Sequence, residues 1–231
     1  MLLQVEDIHT YYGQSHVLQG VSLEVADGEI VALLGRNGVG KTTTLRSILQ
    51  LTPPRSGTVR FKGEDVTGRP THQVAGMGIG WVPEDRRMFD HLTVAENLRV
   101  AVPERADPTS AMATAYELFP DLDRFRSKEA GNLSGGQQQM LALARGIIGD
   151  NELLLVDEPS EGLAPLIVRD VVDALERISD ETTMILVEQN FSLAMSLADR
   201  FYLLDQGRVV ESDDTAGVTA EDERIRRYLA A

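Results

Sequence analysis

The sequence contains, at residues 35–42, the run Gly35-Arg36-Asn37-Gly38-Val39-Gly40-Lys41-Thr42, which fits the pattern G-x-x-x-x-G-K-[ST]. The run follows the continuously apolar stretch Ile30–Leu34 and leads into a segment with helical spacing. Glycines let such a loop wrap with its N–H groups pointing inward at phosphate oxygens. The lysine neutralises phosphate charge and the hydroxyl can ligate Mg²⁺. The pattern predicts a nucleoside triphosphate site whose binding residues are Gly35, Asn37, Gly38, Gly40, Lys41, Thr42 and Thr43.

The charge distribution agrees with an anionic ligand at this place. The 231 residues include 22 basic and 36 acidic side chains, for a formal net charge of −14. Residues 31–62 nevertheless carry six basic residues and no acidic one. The acidic remainder argues against a nucleic-acid partner or a polybasic membrane anchor. The absence of cysteine excludes a thiolate zinc site and a cysteine nucleophile.

The surrounding pattern predicts an α/β core interrupted by a helical insertion. Short apolar runs separated by turns fill the first third, and helical periodicity replaces alternation over about Leu92–Ile148. Strand and helix then alternate again, and Phe201–Val210 reads as a terminal hairpin. No apolar run approaches the 18 or so residues that span a bilayer, and residues 1–10 do not read as a signal peptide.

An acidic strand end is the predicted partner of the phosphate loop. The apolar run Leu153–Val156 ends in Asp157 and Glu158, whose side chains should lie on opposite faces of the strand end. One carboxylate can reach the Mg²⁺ shell, and the other can point toward an attacking water. We expect Asp157 to contribute to a metal site and Glu158 to act as a general base in phosphoryl transfer.

A second helix start with phosphate-binding character lies at Leu133-Ser134-Gly135-Gly136-Gln137-Gln138-Gln139. Ser134 is a good helix N-cap, and the two glycines let an anion approach the bare amides of the helix. This motif lies between the phosphate loop and Asp157-Glu158. With the three motifs in this order, the chain resembles the ATP-binding subunits of ABC transporters over nearly all its length.

That resemblance implies a fold and a domain plan. The expected fold is α/β, with a RecA-like P-loop ATPase core, an antiparallel β subdomain and a helical insertion subdomain. Residues 1–231 would form a single ABC ATPase domain. Residues 1–85 and 151–231 would make the core with the β subdomain, and residues 86–150 would make the helical subdomain.

The resemblance also implies site residues. Ser134, Gly135 and Gly136 would touch the γ-phosphate of an ATP held by the phosphate loop of a second, facing subunit. Tyr12 occupies the family position for an aromatic residue that stacks on adenine. Tyr11 is its rival, and a simple turn tyrosine beside Gly13 is the alternative to both.

Three departures from the broad family pattern concern the catalytic centre. Glu84 stands in place of the glutamine that senses Mg²⁺, and Gln189 stands in place of a histidine that contacts the γ-phosphate. Glu161-Gly162 replaces a frequent Leu-Asp. A degenerate site that does not hydrolyse ATP is one interpretation. The other is a variant site in which Glu84 joins Thr42 and Asp157 around the metal and Gln189 donates to a phosphate oxygen.

Three sequence motifs together resemble those of one subfamily, the smaller ATPase of branched-chain amino acid importers: Val82–Phe89, Asp157–Pro165 and Val187–Asn190. The urea-importer ATPase is a close relative, and Asp85 is a mismatch where glycine is expected. The resemblance implies ATP and Mg²⁺ as ligands, and two transmembrane permease subunits as partners. It also implies a second, different ATPase subunit in the cell, with a homodimer possible in isolation, and a periplasmic or extracellular solute-binding protein acting indirectly. The expected location is the cytoplasmic face of the plasma membrane.

Two other function classes are weaker alternatives. A non-transport ATPase of chromosomes or translation would need long heptad arms or a duplicated motif set, and the sequence has neither. Only the subfamily motifs argue against assignment as the soluble ATPase of iron–sulfur cluster assembly. A P-loop kinase or GTPase would need an acceptor site or a guanine-reading motif, and that motif is absent.

Overall fold

The computed structural model describes residues 1–104, 106–149, 151–179, 182–219 and 222–229. Within these ranges the strands are β1 (Leu3–Tyr12), β2 (Ser15–Val25), β3 (Ile30–Leu34), β4 (Ser56–Phe61), β5 (Glu64–Asp65), β6 (Ile79–Val82), β7 (Leu153–Asp157), β8 (Thr183–Glu188), β9 (Arg200–Asp205) and β10 (Arg208–Asp214). The α-helices are α1 (Lys41–Ile48), α2 (Thr71–Ala75), α3 (Val94–Ala101), α4 (Pro108–Leu118), α5 (Pro120–Arg124), α6 (Gly135–Ile147), α7 (Pro165–Ile178), α8 (Phe191–Leu197) and α9 (Glu223–Leu229).

The strands form two sheets. A four-stranded antiparallel sheet has the order β2-β1-β4-β5, and a six-stranded sheet has the order β10-β9-β3-β8-β7-β6. Strands β6, β7, β8, β3 and β9 run parallel, and β10 closes the edge as an antiparallel hairpin with β9. The α/β class and the separate antiparallel sheet therefore match the expectation from sequence.

The central strands are apolar throughout because each of their faces meets a different core. Ala32 and Leu34 of β3 belong to the core under α6 and α7, whereas Val31 and Leu33 face α1 and the antiparallel sheet. Strand β7 divides in the same way, with Leu154 and Val156 on one side and Leu153 and Leu155 on the other. Strands covered on both faces are expected to read as continuous apolar runs.

Parallel pairing brings the functional segments to one edge of the sheet. Leu34 pairs with Glu188, Asp157 pairs with Val187, and Val82 pairs with Val156. The carboxyl ends of β3, β6, β7 and β8 consequently lie side by side, which is where open α/β sheets bind their ligands.

The segment between β6 and β7 is helical and its helices begin with side-chain caps. Thr93 and Glu96 form a reciprocal capping box at α3, Asp107 caps α4, and Ser134 with Gln137 forms a capping box at α6. The predicted range of the helical subdomain ends at residue 150 and that of the core at residue 231. Both residues lie outside the described part of the chain, so the domain ranges remain a prediction. No helix among the described residues has the length and apolar character needed to cross a bilayer.

Candidate nucleotide site

The phosphate loop connects the buried strand β3 to helix α1. Gly40 is the N-cap of α1, with φ 116° and no side-chain hydrogen bond to the first turn, so the helix start is left open. A Cβ at Gly40 would lie 2.7 Å from a methyl carbon of Leu18, and a Cβ at Gly35 would lie 2.5 Å from the carbonyl oxygen of Leu204. The loop can therefore hold this path only with glycine at both positions.

Lys41 and Glu158 form a buried ion pair inside the site. Lys41 Nζ lies 3.0 Å from Glu158 Oε1, and the two side chains are 4% and 8% exposed. The ammonium also donates to the carbonyl oxygens of Gly35 at 2.7 Å and Arg36 at 3.1 Å. The phosphate-loop cation and the predicted general base thus neutralise each other in this structure.

Asp157 has an unsatisfied oxygen beside the phosphate loop. Its carboxylate is fully buried, Oδ1 accepts from Thr42 Oγ1 at 3.2 Å, and Oδ2 has no hydrogen-bond partner among the described residues. Burial raises the pKa of Asp157 to about 6, and the negative charges of Glu158 and Glu84 add to the effect. A buried acceptor that lacks a donor is satisfied by a cation, and a hydroxyl next to a carboxylate suits the hard ion Mg²⁺.

The donor set also fits the way proteins usually hold Mg²⁺. No group of three or more carboxylate, imidazole or thiol side chains that could hold a metal is found in the described ranges. Magnesium in nucleotide sites is bound by one or two carboxylates together with substrate phosphates and waters. The arrangement of Thr42 and Asp157 is of this kind.

A cavity of about 320 Å³ lies over the phosphate loop. Its lining brings together Asn37, Gly38, Gly40, Lys41, Thr42, Thr43, Glu84 and Glu158 from three separate parts of the sequence, and Val17 of β2 adds a fourth. Glu84, predicted from a motif more than 40 residues away, therefore does reach the phosphate-loop cavity. Val17 was not predicted, because an isolated valine in a strand carries no signal of a site.

A second cavity, of about 290 Å³, adjoins the first at Glu158. It is lined by Ser160, Glu161, Glu188, Gln189 and Asn190 as well, so Gln189 and the predicted general base border one space. Burial raises the pKa of Glu161, and the charge of Glu158 adds to this. Two of the three departures from the family pattern therefore lie next to Glu158 here, and the third, Glu84, lies next to it in the first cavity.

Glu188 is a site residue that sequence reasoning did not single out. Its side chain is 2% exposed and accepts from the backbone amides of Ser160 and Asn190, each at 3.2 Å. Burial raises the pKa of Glu188 while these hydrogen bonds oppose the rise. The carboxylate ties the loop after β7 to the loop after β8, and thereby fixes Gln189 relative to Glu158. The available signal was its position at the end of an apolar strand.

The two candidate tyrosines differ in their surroundings. Tyr11 has its ring stacked on His16 at 4.1 Å between centroids, and the guanidinium of Arg55 lies 4.2 Å from the ring centre. Tyr12, at the end of β1, is 43% exposed. It does not line the phosphate-loop cavity. An exposed ring suits a stacking role better than one already stacked.

Ser134, Gly135 and Gly136 lie at the start of α6. Ser134 Oγ accepts from the amide of Gln137 at 3.3 Å, and the Ser134 amide donates to Gln137 Oε1 at 3.0 Å. Ser134 and Gly135 are exposed. None of the three lines the cavity over the phosphate loop. Within one chain the two predicted phosphate-binding helix starts therefore do not converge.

Comparison with known proteins agrees with this geometry. The sequence profile of the ABC transporter family matches residues 18–161. The chain is 41% identical over 231 residues to the high-affinity branched-chain amino acid transport ATP-binding protein BraG of Pseudomonas aeruginosa, covering 99% of both. It is 34% identical over 230 residues to the probable branched-chain amino acid transport ATP-binding protein LivF of Archaeoglobus fulgidus, covering 98% of this chain and 97% of the relative.

A solved structure described as the ATP binding subunit of an ABC transporter superposes with a TM-score of 0.83 at 27% identity. The match covers 93% of this chain and 90% of the solved one. The predicted ABC ATPase fold is thereby confirmed. Given this fold, the matched profile and relatives similar over their full length, the chain belongs to the ABC transporter family and is one of its ATPases.

Proposed function

We propose that this chain hydrolyses ATP to power the import of branched-chain amino acids through a membrane ABC transporter. The observation that carries the proposal is the full-length similarity to BraG, at 41% identity, in a chain whose phosphate loop and Glu158 line one cavity and whose Asp157 accepts a hydrogen bond from Thr42 of that loop. The similarity to LivF supports the same solute class.

The geometry supports a division of labour around the nucleotide. The phosphate-loop amides and Lys41 bind the β- and γ-phosphates, and Tyr12 stacks on the adenine. Thr42, Asp157 and Glu84 would hold Mg²⁺, which would neutralise charge on the phosphate oxygens. Because Lys41 and Glu158 are paired at 3.0 Å, an arriving phosphate competes with Glu158 for the ammonium. The carboxylate that Lys41 releases then accepts a proton from the attacking water, while the Gln189 amide donates to a phosphate oxygen.

A second ATPase subunit completes the site. Ser134, Gly135 and Gly136 are exposed or half-exposed at the start of α6, away from this chain's own phosphate cavity. They serve the γ-phosphate held by a facing subunit, and the facing subunit supplies the equivalent residues in return. The partner in the cell is a second, different ATPase, and the isolated chain can pair with itself.

The permease binds at a groove between α6 and β6, the edge strand of the six-stranded sheet. A cavity of about 520 Å³ lies there, lined by Leu49, Leu51, Trp81 and Arg145 among others. Trp81 Nε1 has no hydrogen-bond partner among the described residues. Phe89 is 48% exposed next to this groove, with Arg145 lying 5.1 Å from its ring centre. An apolar groove with unsatisfied donors favours a short helix of the permease, which holds the chain at the cytoplasmic face of the membrane.

Three apolar side chains lie close together in the sequence here, Met88, Phe89 and Leu92, and Phe89 is the most exposed and hence the best contact for the permease. Met88 is partly buried against the core around α6, and Leu92 is half-buried. These two residues are therefore better explained by packing within the helical part of the chain.

The test is Glu158→Gln in the complex assembled with its permease and second ATPase. Loss of the general base should lower ATP turnover about 10²- to 10⁴-fold while ATP binding persists. Undiminished ATP turnover would show that Glu158 is not the general base. Uptake of labelled leucine, isoleucine and valine by a deletion strain tests the solute independently. If the deletion strain still takes up these amino acids but no longer takes up urea or an amide, the solute assignment is wrong. The assignment as a transport ATPase would stand.

A further inference from the structure

A pair of histidines lies on the antiparallel sheet, outside the nucleotide cavity. His9 of β1 and His16 of β2 face each other across the hairpin, with His9 Nδ1 and His16 Nε2 3.0 Å apart. Neither residue lines the cavity over the phosphate loop. The proposed function gives these two imidazoles no role.

The backbone of β1 is distorted where it presents His9. Asp7 has a φ of 47°, and the register of β1 against β2 shifts on both sides of Ile8. Bulges of this kind re-aim side chains, and here Asp7 Oδ1 comes to lie 3.4 Å from His9 Nε2. On the facing strand Gly20 leaves room for the contact, since a Cβ there would lie 2.8 Å from Asp7 Oδ1. The local irregularity of both strands thus accommodates a carboxylate beside an imidazole.

Asp7 determines how His9 uses its two ring nitrogens. A carboxylate next to Nε2 favours the proton on that nitrogen, which leaves Nδ1 as an acceptor. His16 Nε2–H then donates to His9 Nδ1. His9 therefore turns an unprotonated nitrogen towards His16, and a carboxylate on the far side of the ring is the usual support of an imidazole that binds a metal.

The separation of the two facing nitrogens matches a metal chelate. Imidazole nitrogens bind a transition metal at about 2.0–2.1 Å. Two nitrogens 3.0 Å apart then subtend an angle of about 95° at the metal. This is close to the right angle between neighbouring ligands in square-planar and tetragonal sites, which are typical of Cu²⁺ and Ni²⁺. A tetrahedral site would need the nitrogens about 3.3 Å apart.

The rings must turn to accept the ion, and their surroundings allow it. The ring planes are tilted by 31° with centroids 5.2 Å apart, so the two nitrogens point at each other. On binding, His16 moves its proton from Nε2 to Nδ1, and both rings turn until their lone pairs converge on the metal. The His9 side chain is 27% exposed and His16 is half-buried, so solvent reaches the pair.

Water supplies the remaining ligands of such a site. Within the described ranges no group of three or more histidine, cysteine, aspartate or glutamate side chains is suited to a metal. The pair is therefore an open chelate for an exchangeable ion, unlike the closed four-ligand sites of structural zinc. The neighbouring cation Arg55 is engaged with the Tyr11 ring and the carbonyl oxygen of Gly13, and the Asp7 carboxylate offsets part of the charge of a dication.

We propose that His9 and His16 bind a divalent transition metal of tetragonal preference, Cu²⁺ or Ni²⁺, and that Asp7 is the positioning residue that orients His9. An occupied site links β1 to β2 just ahead of Tyr12, the last residue of β1. The inference does not depend on the proposed function, because neither histidine lines the nucleotide cavity.

The test titrates the full-length chain with Cu²⁺ in the presence of excess Mg²⁺, which occupies hard carboxylate sites and does not compete for imidazole nitrogens. Electron paramagnetic resonance should show one Cu²⁺ per chain with two equatorial nitrogen ligands. His9→Gln and His16→Gln should each remove this two-nitrogen signal, while the glutamine amide can still form hydrogen bonds across the strands. Asp7→Asn should keep the stoichiometry and weaken the affinity about 10- to 100-fold by calorimetry, because asparagine tolerates the left-handed backbone but carries no charge.

The matched controls are His72→Gln and His91→Gln, because both of these histidines are exposed and lie elsewhere in the fold. They should bind Cu²⁺ as the wild type does. Titration of the wild-type chain with Ni²⁺, followed by nuclear magnetic resonance, keeps the test valid if a variant folds poorly. The ring signals of His9 and His16 should broaden before those of His72 and His91.

Three results would overturn the site. They are a two-nitrogen signal that survives in His9→Gln or His16→Gln, Ni²⁺ that broadens His72 or His91 first, and a wild-type chain that binds no stoichiometric Cu²⁺. An affinity that Asp7→Asn leaves unchanged would overturn the role of Asp7.

Discussion

Replacing Asp157 by asparagine should change how the stability of the nucleotide-free chain depends on pH. Asp157 is fully buried with one unsatisfied oxygen, and burial raises its pKa from an ordinary 3.8 to about 6. The folded chain therefore binds this proton more tightly than the unfolded chain does. The stabilisation is complete below 3.8 and is lost as the pH rises through about 6.

The magnitude follows from that difference. At about 1.36 kcal/mol per pH unit, the interval from 3.8 to about 6 corresponds to about 3 kcal/mol of unfolding free energy. Roughly 1.4 kcal/mol of this falls between about pH 5 and about pH 8, where the protein can be handled. Asparagine does not titrate, so the unfolding free energy of Asp157→Asn minus that of the wild type should rise by this amount across the interval. The constant effect of an unpartnered amide cancels in the difference.

The assay is urea unfolding of both chains at several pH values without nucleotide. Asp173→Asn, at an exposed position of α7, is the matched control and should run parallel to the wild type. Saturating Mg²⁺ and ADP should stabilise the wild type more as the pH rises, because the bound cation favours the carboxylate, and should stabilise Asp157→Asn much less. Parallel curves for Asp157→Asn and the wild type would refute the reasoning, since Asp157 would then be ionised at no cost.

Two further variants separate the parts of the site. Tyr12→Ala should weaken ATP binding by about 1–3 kcal/mol through loss of stacking, measured by calorimetry, with Tyr12→Phe retaining it; a larger loss in Tyr11→Ala would assign the adenine contact to Tyr11. Ser134→Ala should lower the unfolding free energy by about 1 kcal/mol through loss of the α6 cap and leave ATP affinity of the isolated chain unchanged. Its turnover in the assembled complex should fall, and a weakened affinity in the isolated chain would contradict the two-subunit site.

The parts of the site that sequence predicted are those that depend on local geometry. The phosphate loop needs only a strand, a turn of glycines and a helix start in succession, and the observed β3 and α1 flank it as expected. The carboxylates of Asp157 and Glu158 follow a strand end for the same local reason. Ser134 caps α6 as predicted, and its hydrogen bonds are made with Gln137.

What sequence did not predict depends on contacts between distant segments. Strand β6 was missed because Gly80 weakens its pattern, and the glycine is required where the Asn151 side chain crosses the strand. Strand β1 continues beyond its apolar part to Tyr12, because a left-handed Asp7 lets it bulge and resume pairing with β2. Helix α8 was missed although Asn190 caps it, since seven residues are too few for a clear period. The roles of Glu188 and Val17 emerge only from the order of the strands.

The ion pair between Lys41 and Glu158 has a consequence for which ligands can free the general base. Glu158 offsets the charge of the Lys41 ammonium, so an anion that binds Lys41 must displace this carboxylate first. A ligand frees Glu158 from Lys41 only if it brings enough negative charge to take the place of the carboxylate. A triphosphate meets that condition better than adenosine or a single phosphate does. The ion pair thereby restrains the general base until ATP, the substrate, displaces it.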